Sequence, residues 1–217
     1  MNQKVLFALA VAALLGAFAL GALIYKTRQG EQAVQIAERN RGNLVRTHSP
    51  TLGKADAPVE IVEFLDPACE TCRAFYPAVK QMMAANPDRI RLVLRYAPFH
   101  NGSDRVVAVL EAARKQGKFW PALEALLAAQ AAWAPNHRPQ VELVWRHLEG
   151  LGLDLERVRA DMAAPEIARV IAQDLDDARV LNVTKTPEFF VNGKPLPSFG
   201  YEQLKDLVDQ ALASARR

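Results

Sequence analysis

The sequence predicts an α/β domain whose mixed sheet is covered on both faces, split by a block of helices and preceded by one apolar segment. Three observations carry this. Two short apolar runs, Val59 to Leu65 and Ile90 to Tyr96, flank a helix-forming stretch and read as a βαβ unit, parallel and right-handed by the usual rule. A third run, Glu188-Phe189-Phe190-Val191, leads into Asn192-Gly193, the strongest short hairpin signal, and returns through Lys194-Pro195-Leu196. Between the two units the pattern is helical throughout.

The chain has 217 residues, half of them apolar, and a formal net charge of +3. Val5 to Tyr25 contains no charged residue. At 1.5 Å per residue that stretch reaches roughly 30 Å, the thickness of a bilayer core. Ala17-Phe18-Ala19 has the small-x-small form of a signal-peptide cleavage site, but the apolar run continues past it to Tyr25, which favours an uncleaved anchor. No cysteine lies near it, which excludes a lipoprotein anchor. Lys4 with the terminal amine on one side nearly balances Lys26 and Arg28 on the other, so charge does not set the orientation. The basic residues are dispersed along the chain, which argues against nucleic-acid binding.

Residues 1–27 therefore read as a membrane anchor or signal segment, and 28–53 as a polar tether, partly helical over Glu31 to Arg39. The sheet domain takes residues 54–102 and 182–217, and the helical insert takes 103–181. Val59 to Leu65 is a buried strand with Glu60 and Glu63 set into it. A helix follows from Cys69 or Glu70 until Asn86-Pro87-Asp88 stops it, and Pro77 should kink it. Ile90 to Tyr96 alternates Ile/Leu/Leu against Arg/Val/Arg. Four or five helices fill the insert, separated at Gly117, Pro135 to Pro139, Gly150 to Gly152 and Ala163-Ala164-Pro165. Pro195 marks an edge strand, and Tyr201 to Ala215 closes the domain as an amphipathic helix.

The chemistry sits in Cys69-Glu70-Thr71-Cys72, which holds the only two cysteines of the chain. A strand feeding Cys-x-x-Cys into a helix puts the first sulfur at the helix N-terminus, where free amides and the dipole favour a thiolate. The second sulfur lies one turn further in, close enough to attack a mixed disulfide formed by the first. A closed zinc site would need four ligands, and His48, His100, His137 and His147 are scattered singly, so no metal site and no cofactor is expected. A dithiol behind an export signal belongs outside the cytoplasmic membrane, where disulfides persist.

Taken together, Cys69-Glu70-Thr71-Cys72 behind Val62-Glu63-Phe64, Thr186-Pro187-Glu188-Phe189-Phe190-Val191-Asn192-Gly193 ahead of the last helix, and Gln116-Gly117-Lys118-Phe119-Trp120 resemble the DsbA-like thiol:disulfide oxidoreductases of the thioredoxin fold. The likeness covers roughly Pro58 to Ala213. It implies a thioredoxin fold with an inserted helical domain, a cis Thr186–Pro187 bond beside Cys69, and pairing of the Thr186 backbone with an extended substrate. It also implies that Glu63 is a buried acid that moves the proton of the resolving thiol. Glu70 and Thr71 depart from the Pro-His pair of the best-known member. The charge of Glu70 opposes a Cys69 thiolate, which predicts a potential between a strong oxidant and a thioredoxin-like reductant. The partners implied are exported cysteine-containing proteins and a membrane redox protein, either a DsbB-like oxidase or a thiol-reducing transmembrane protein. The expected location is the inner membrane, crossed once, with the catalytic domain on the periplasmic side. Two other readings stand beside this one: a copper(I)-handling protein using the thiolates with Met82 and Met83, and a non-catalytic anchored chaperone. Oligomeric state is left open.

Overall fold

The computed structural model describes residues 2–215, apart from the side chains of Val5, Leu6 and Ala8. Its first element is α1, Gln3–Arg39, a single helix of 37 residues and about 55 Å. It is the one helix among the described residues long and apolar enough to cross a membrane, and residues 9–25 bury no side chain against the rest of the chain.

The strands are β1 Thr51–Leu52, β2 Val59–Leu65, β3 Ile90–Tyr96, β4 Glu188–Val191 and β5 Lys194–Pro195. They form one sheet in the order β1-β3-β2-β4-β5. β2 and β3 are parallel, with Glu63 opposite Leu94, and α2, Glu70–Ala85, is their crossover. β4 runs antiparallel to β2, with Glu63 opposite Phe189, and β5 pairs back onto β4 through Asn192-Gly193. Both turn residues have positive φ, 48° and 82°, as a two-residue hairpin turn requires. This is the thioredoxin-type sheet expected from the sequence, and Pro77 lies inside α2, which runs on to Ala85 as one helix.

The sheet is buried on both faces, so its strands read as near-continuous apolar runs. Val59, Ile61, Leu65 and Phe189 pack on one face against α2 and against α8, Tyr201–Ser214. Val62, Phe64, Val93 and Phe190 pack on the other, against Ala37, Leu44, Ala178 and Leu181. The insert comprises α3 Ser103–Lys115, α4 Phe119–Ala128, α5 Gln130–Trp133, α6 Leu155–Asp161 and α7 Pro165–Val180. The helix expected between Pro139 and Gly150 is replaced by two short 3-10 turns, Val141–Leu143 and Trp145–His147.

Part of the 28–53 stretch packs on the sheet domain. α1 runs unbroken to Arg39, Ala37 and Leu44 are buried, and Thr51 pairs with Val93 as part of the sheet. On β3, Arg95 is completely buried. Its guanidinium donates to Asp174 Oδ1 at 2.8 Å, to Asp177 Oδ2 at 2.6 Å and to the carbonyl of Leu44 at 2.9 Å. Arg46 reaches Asp177 at 2.7 Å and His48 reaches Asp174 at 2.6 Å, so residues 43–48 are clamped to α7 and the sheet.

Candidate active site

β2 ends in a buried turn, Asp66-Pro67-Ala68, and α2 begins at Glu70, so Cys69 is the N-cap residue with extended backbone, φ −77° and ψ 118°. Cys72 lies in the first turn of α2. Both are free thiols, Cys69 being 4 % exposed and Cys72 wholly buried. The leading sulfur is therefore more enclosed than a solvent-facing position would give. Against it lies the loop before β4, where the Thr186–Pro187 bond is cis and the Thr186 carbonyl accepts from Cys69 Sγ at 3.3 Å.

Three groups share this small volume, and their proton affinities are driven apart. The Cys69 thiol is lowered from 9.0 to about 5. The largest cause is the hydrogen bond from Cys72; burial opposes it, and the Thr186 side chain with the backbone amides of Cys72 and Thr71 adds to it. Glu70 is exposed and is not among the groups that move Cys69, so its charge is dissipated in solvent. Thr71, half-buried, contributes through its amide. Cys72 is pushed well above the usual thiol range, by burial first and then by the Cys69 thiolate and Glu63. Glu63 is wholly buried, neither carboxylate oxygen has a hydrogen-bond partner, and it is raised to about 8 by burial and then by the charge on Cys69. The result is one thiolate beside a thiol and a carboxyl that hold their protons.

Residues 46–210 match the family model described as thioredoxin. The chain belongs to the thioredoxin family. A crystal structure of a thioredoxin-like oxidoreductase from Silicibacter pomeroyi DSS-3 superposes with a TM-score of 0.68 at 34% identity, covering 79% of this chain and 96% of that one. Disulfide bond formation protein D of Bacillus subtilis is 28% identical over 204 residues, 86% of this chain and 85% of that protein. The Na(+)/H(+) antiporter NhaA 3 of Salinispora tropica is 37% identical over 168 residues, 76% of this chain but only 25% of the antiporter, so the chain spans about a quarter of that relative. Fold and cysteine pair together are those of a thioredoxin-like oxidoreductase.

This thioredoxin-family site also contains residues that sequence reasoning missed. Gln130 of α5 is buried and donates to the carbonyls of Pro67 and Cys69 at 2.8 and 3.0 Å. Asp66, buried in the turn, accepts from the Ala68 amide at 2.8 Å and from the Ser103 hydroxyl. His100 and His137 come together beside this turn, although nothing in their spacing along the chain suggests it. The Leu-Asp-Pro preceding the cysteines is the one local signal, since an Asp there can cap the turn. Met82 and Met83, by contrast, sit with the core, about 15 Å along α2 from Cys72. Among the described residues no group of three or more His, Cys, Asp or Glu side chains converges as metal ligands would.

The burial of Glu63 gives a pH signature. Its folded pKa, about 8, lies above the ordinary 4.5. The unfolded chain loses this proton first as pH rises, so the carboxyl's share of stability is complete below 4.5 and lost towards pH 8. Cys69 acts in the opposite sense, its folded value lying below 9.0, so the wild-type profile mixes the two. The difference between Glu63→Gln and wild type isolates the carboxyl. Urea unfolding should show the variant gaining on wild type by roughly 3–5 kcal/mol between pH 5 and pH 8. A constant difference would mean that Glu63 ionises normally.

Proposed function

We propose that this chain is a membrane-anchored thiol:disulfide oxidoreductase that exchanges a Cys69–Cys72 disulfide with cysteines of exported proteins, outside the cytoplasmic membrane. The observation that carries this is the pairing of a low-pKa thiol at a helix start with a buried high-pKa thiol one turn away, against the Thr186 carbonyl.

In the oxidising direction a substrate thiolate attacks Cys69 Sγ. The Cys69–Cys72 bond breaks, and the departing Cys72 sulfur takes a proton from Glu63, the buried carboxyl on the same face of the sheet. A second substrate thiolate then attacks the substrate sulfur of the mixed disulfide. Cys69 leaves as the stabilised thiolate, and two electrons have passed from substrate to enzyme. In the reducing direction Cys69 attacks the substrate disulfide and its negative charge leaves with the departing substrate thiolate; Glu63, no longer held protonated by that charge, releases its proton to solvent, and the carboxylate then takes the Cys72 proton as Cys72 attacks Cys69 Sγ and releases the product. Thr186 and Pro187 offer backbone to an extended substrate, which adds to the sheet as a further strand. Thr71 tunes the pair through its amide, whereas the exposed Glu70 side chain leaves Cys69 unmoved. The Cys69 value of about 5 falls between those typical of thioredoxin, about 7, and of DsbA, about 3.5, which supports an intermediate potential. Turnover in either direction uses a membrane redox partner; no organic cofactor is required, since the two sulfurs carry the electrons.

The test is trapping. Full-length Cys72→Ala, expressed in cells, is expected to accumulate reductant-sensitive mixed disulfides through Cys69 with exported proteins, while Cys69→Ala, Cys72→Ala accumulates none. Identical banding for the two variants would overturn the assignment.

A further inference from the structure

α1 leaves the domain almost no slack above its apolar run. Up to Gln29 the described residues of the helix are exposed on every side; from Gly30 onward one face is covered, at Gly30, Ala33, Val34 and Ala37. That is the i, i+3, i+4, i+7 spacing of a helix laid against a neighbour, and the neighbour is the β5 edge with Pro195 and Leu196. Gly30 follows Tyr25, the last residue of the uncharged run, by less than two turns, roughly 7.5 Å of helix. α1 has no proline and runs unbroken through this junction, so a rod sets the height of the domain.

The same junction reaches the cysteines. A cavity of about 480 Å³ has Lys26 and Gln29 of α1 among its lining on one side and Lys185, Glu188 and Phe199 on the other. Lys185 precedes Thr186, whose carbonyl is 3.3 Å from Cys69 Sγ. Phe199 stacks on Phe75, 5.0 Å between centroids, and Phe75 lies about one turn beyond Cys72 on α2. A cavity of that volume is roughly 10 Å across and one residue step is roughly 4 Å, which holds the reactive sulfur within roughly 25 Å of Lys26.

We propose that the substrates of this site are extracytoplasmic segments of proteins embedded in the same membrane, with cysteines within roughly 25 Å of the bilayer surface. This rests on the reading of the chain as an anchored redox enzyme and narrows its substrate class. A site carried on a rod meets what is held at its own height. Two anchored proteins gain effective concentration there, as linked modules do, whereas a soluble exported chain gains none. The groove between α1 and the Thr186 loop is the route such a segment takes. Its foot is Lys26, beside the end of the uncharged run, and its head is the loop whose backbone pairs with an extended chain. The amides of Gln29 and Asn182 line it and match the N–H and C=O groups of such a chain.

The experiment is single-turnover oxidation by the full-length disulfide form in phosphatidylcholine vesicles. A substrate thiolate bonds to Cys69 Sγ as the Cys69–Cys72 bond breaks; the second substrate thiolate displaces Cys69, and two electrons pass to the enzyme. The probes are single-span peptides with a cysteine pair on a helical spacer of graded length, and one soluble dithiol peptide. The second protein carries a helical insert of about 18 residues, five turns, between Tyr25 and Lys26, which lifts the domain by roughly 27 Å and keeps its facing. Wild type is expected to react fastest with cysteines below roughly 25 Å and at least tenfold slower at roughly 50 Å. The insert is expected to move that maximum outward by about its own length, while the soluble peptide reacts equally with both proteins. A rate that ignores spacer length, or a maximum that stays in place after insertion, would overturn the proposal. Failure of the underlying reading looks different: neither protein would oxidise the soluble peptide, or the chain would not float with the vesicles.

Discussion

Cys69→Ser should abolish disulfide exchange, lowering the rate by on the order of 10³-fold or more. A serine hydroxyl is not ionised near neutral pH and forms no mixed disulfide. Cys72 cannot take over, because it is wholly buried and its thiol holds its proton far more tightly than a free cysteine does. The fold should survive, since serine is close to isosteric and is itself a favoured N-cap residue at this position. Insulin reduction and oxidation of a dithiol peptide measure both directions. A variant that keeps a tenth of wild-type activity in either assay, with unchanged thermal unfolding, would show that the chemistry is elsewhere.

Arg95→Met should produce the largest loss of stability of any single change outside the core, about 3–5 kcal/mol. The methionine fills similar volume but leaves Asp174, wholly buried, and Asp177, nearly so, without the cation between them. Asp177 shows how much depends on that cation: burial pushes its carboxyl up, yet hydrogen bonds from Arg46 and Arg95 hold it below the usual range. A carboxylate so held stabilises the fold above its ordinary value of 3.8 and loses that contribution as pH falls through the lowered one. Arg95→Met should therefore unfold at lower urea at pH 7. Replacing Asp174 and Asp177 by Leu in the same chain should restore part of the loss, since it is the unpaired charge that costs. The carbonyls of Asn43 and Leu44 also lose their donor, so protease cleavage between residues 40 and 50 should quicken. A loss below about 1 kcal/mol would mean that the aspartates find other partners or take up protons.

The amino-acid sequence by itself determined the three central strands, the cysteines at a strand-to-helix junction, and the hairpin at Asn192-Gly193. In each case the determining physics is local. An apolar run buried on both faces, a helix start and a two-residue turn are set by residues adjacent along the chain. Glu63 was legible for the same reason, as an acid inside such a run. Tertiary structure alone decided what distant segments bring to these places. Arg95 alternates as an outward-facing residue should, and only α7 and residues 43–48, folding over β3, bury it and supply its aspartates. The short β1 strand owes its existence to the open edge of β3. His100, His137 and Gln130 meet the Cys69 turn from loops and a helix far along the chain, and no periodicity records that meeting. Periodicity encodes which face a side chain takes, whereas the partner waiting on that face is fixed only when the chain closes on itself.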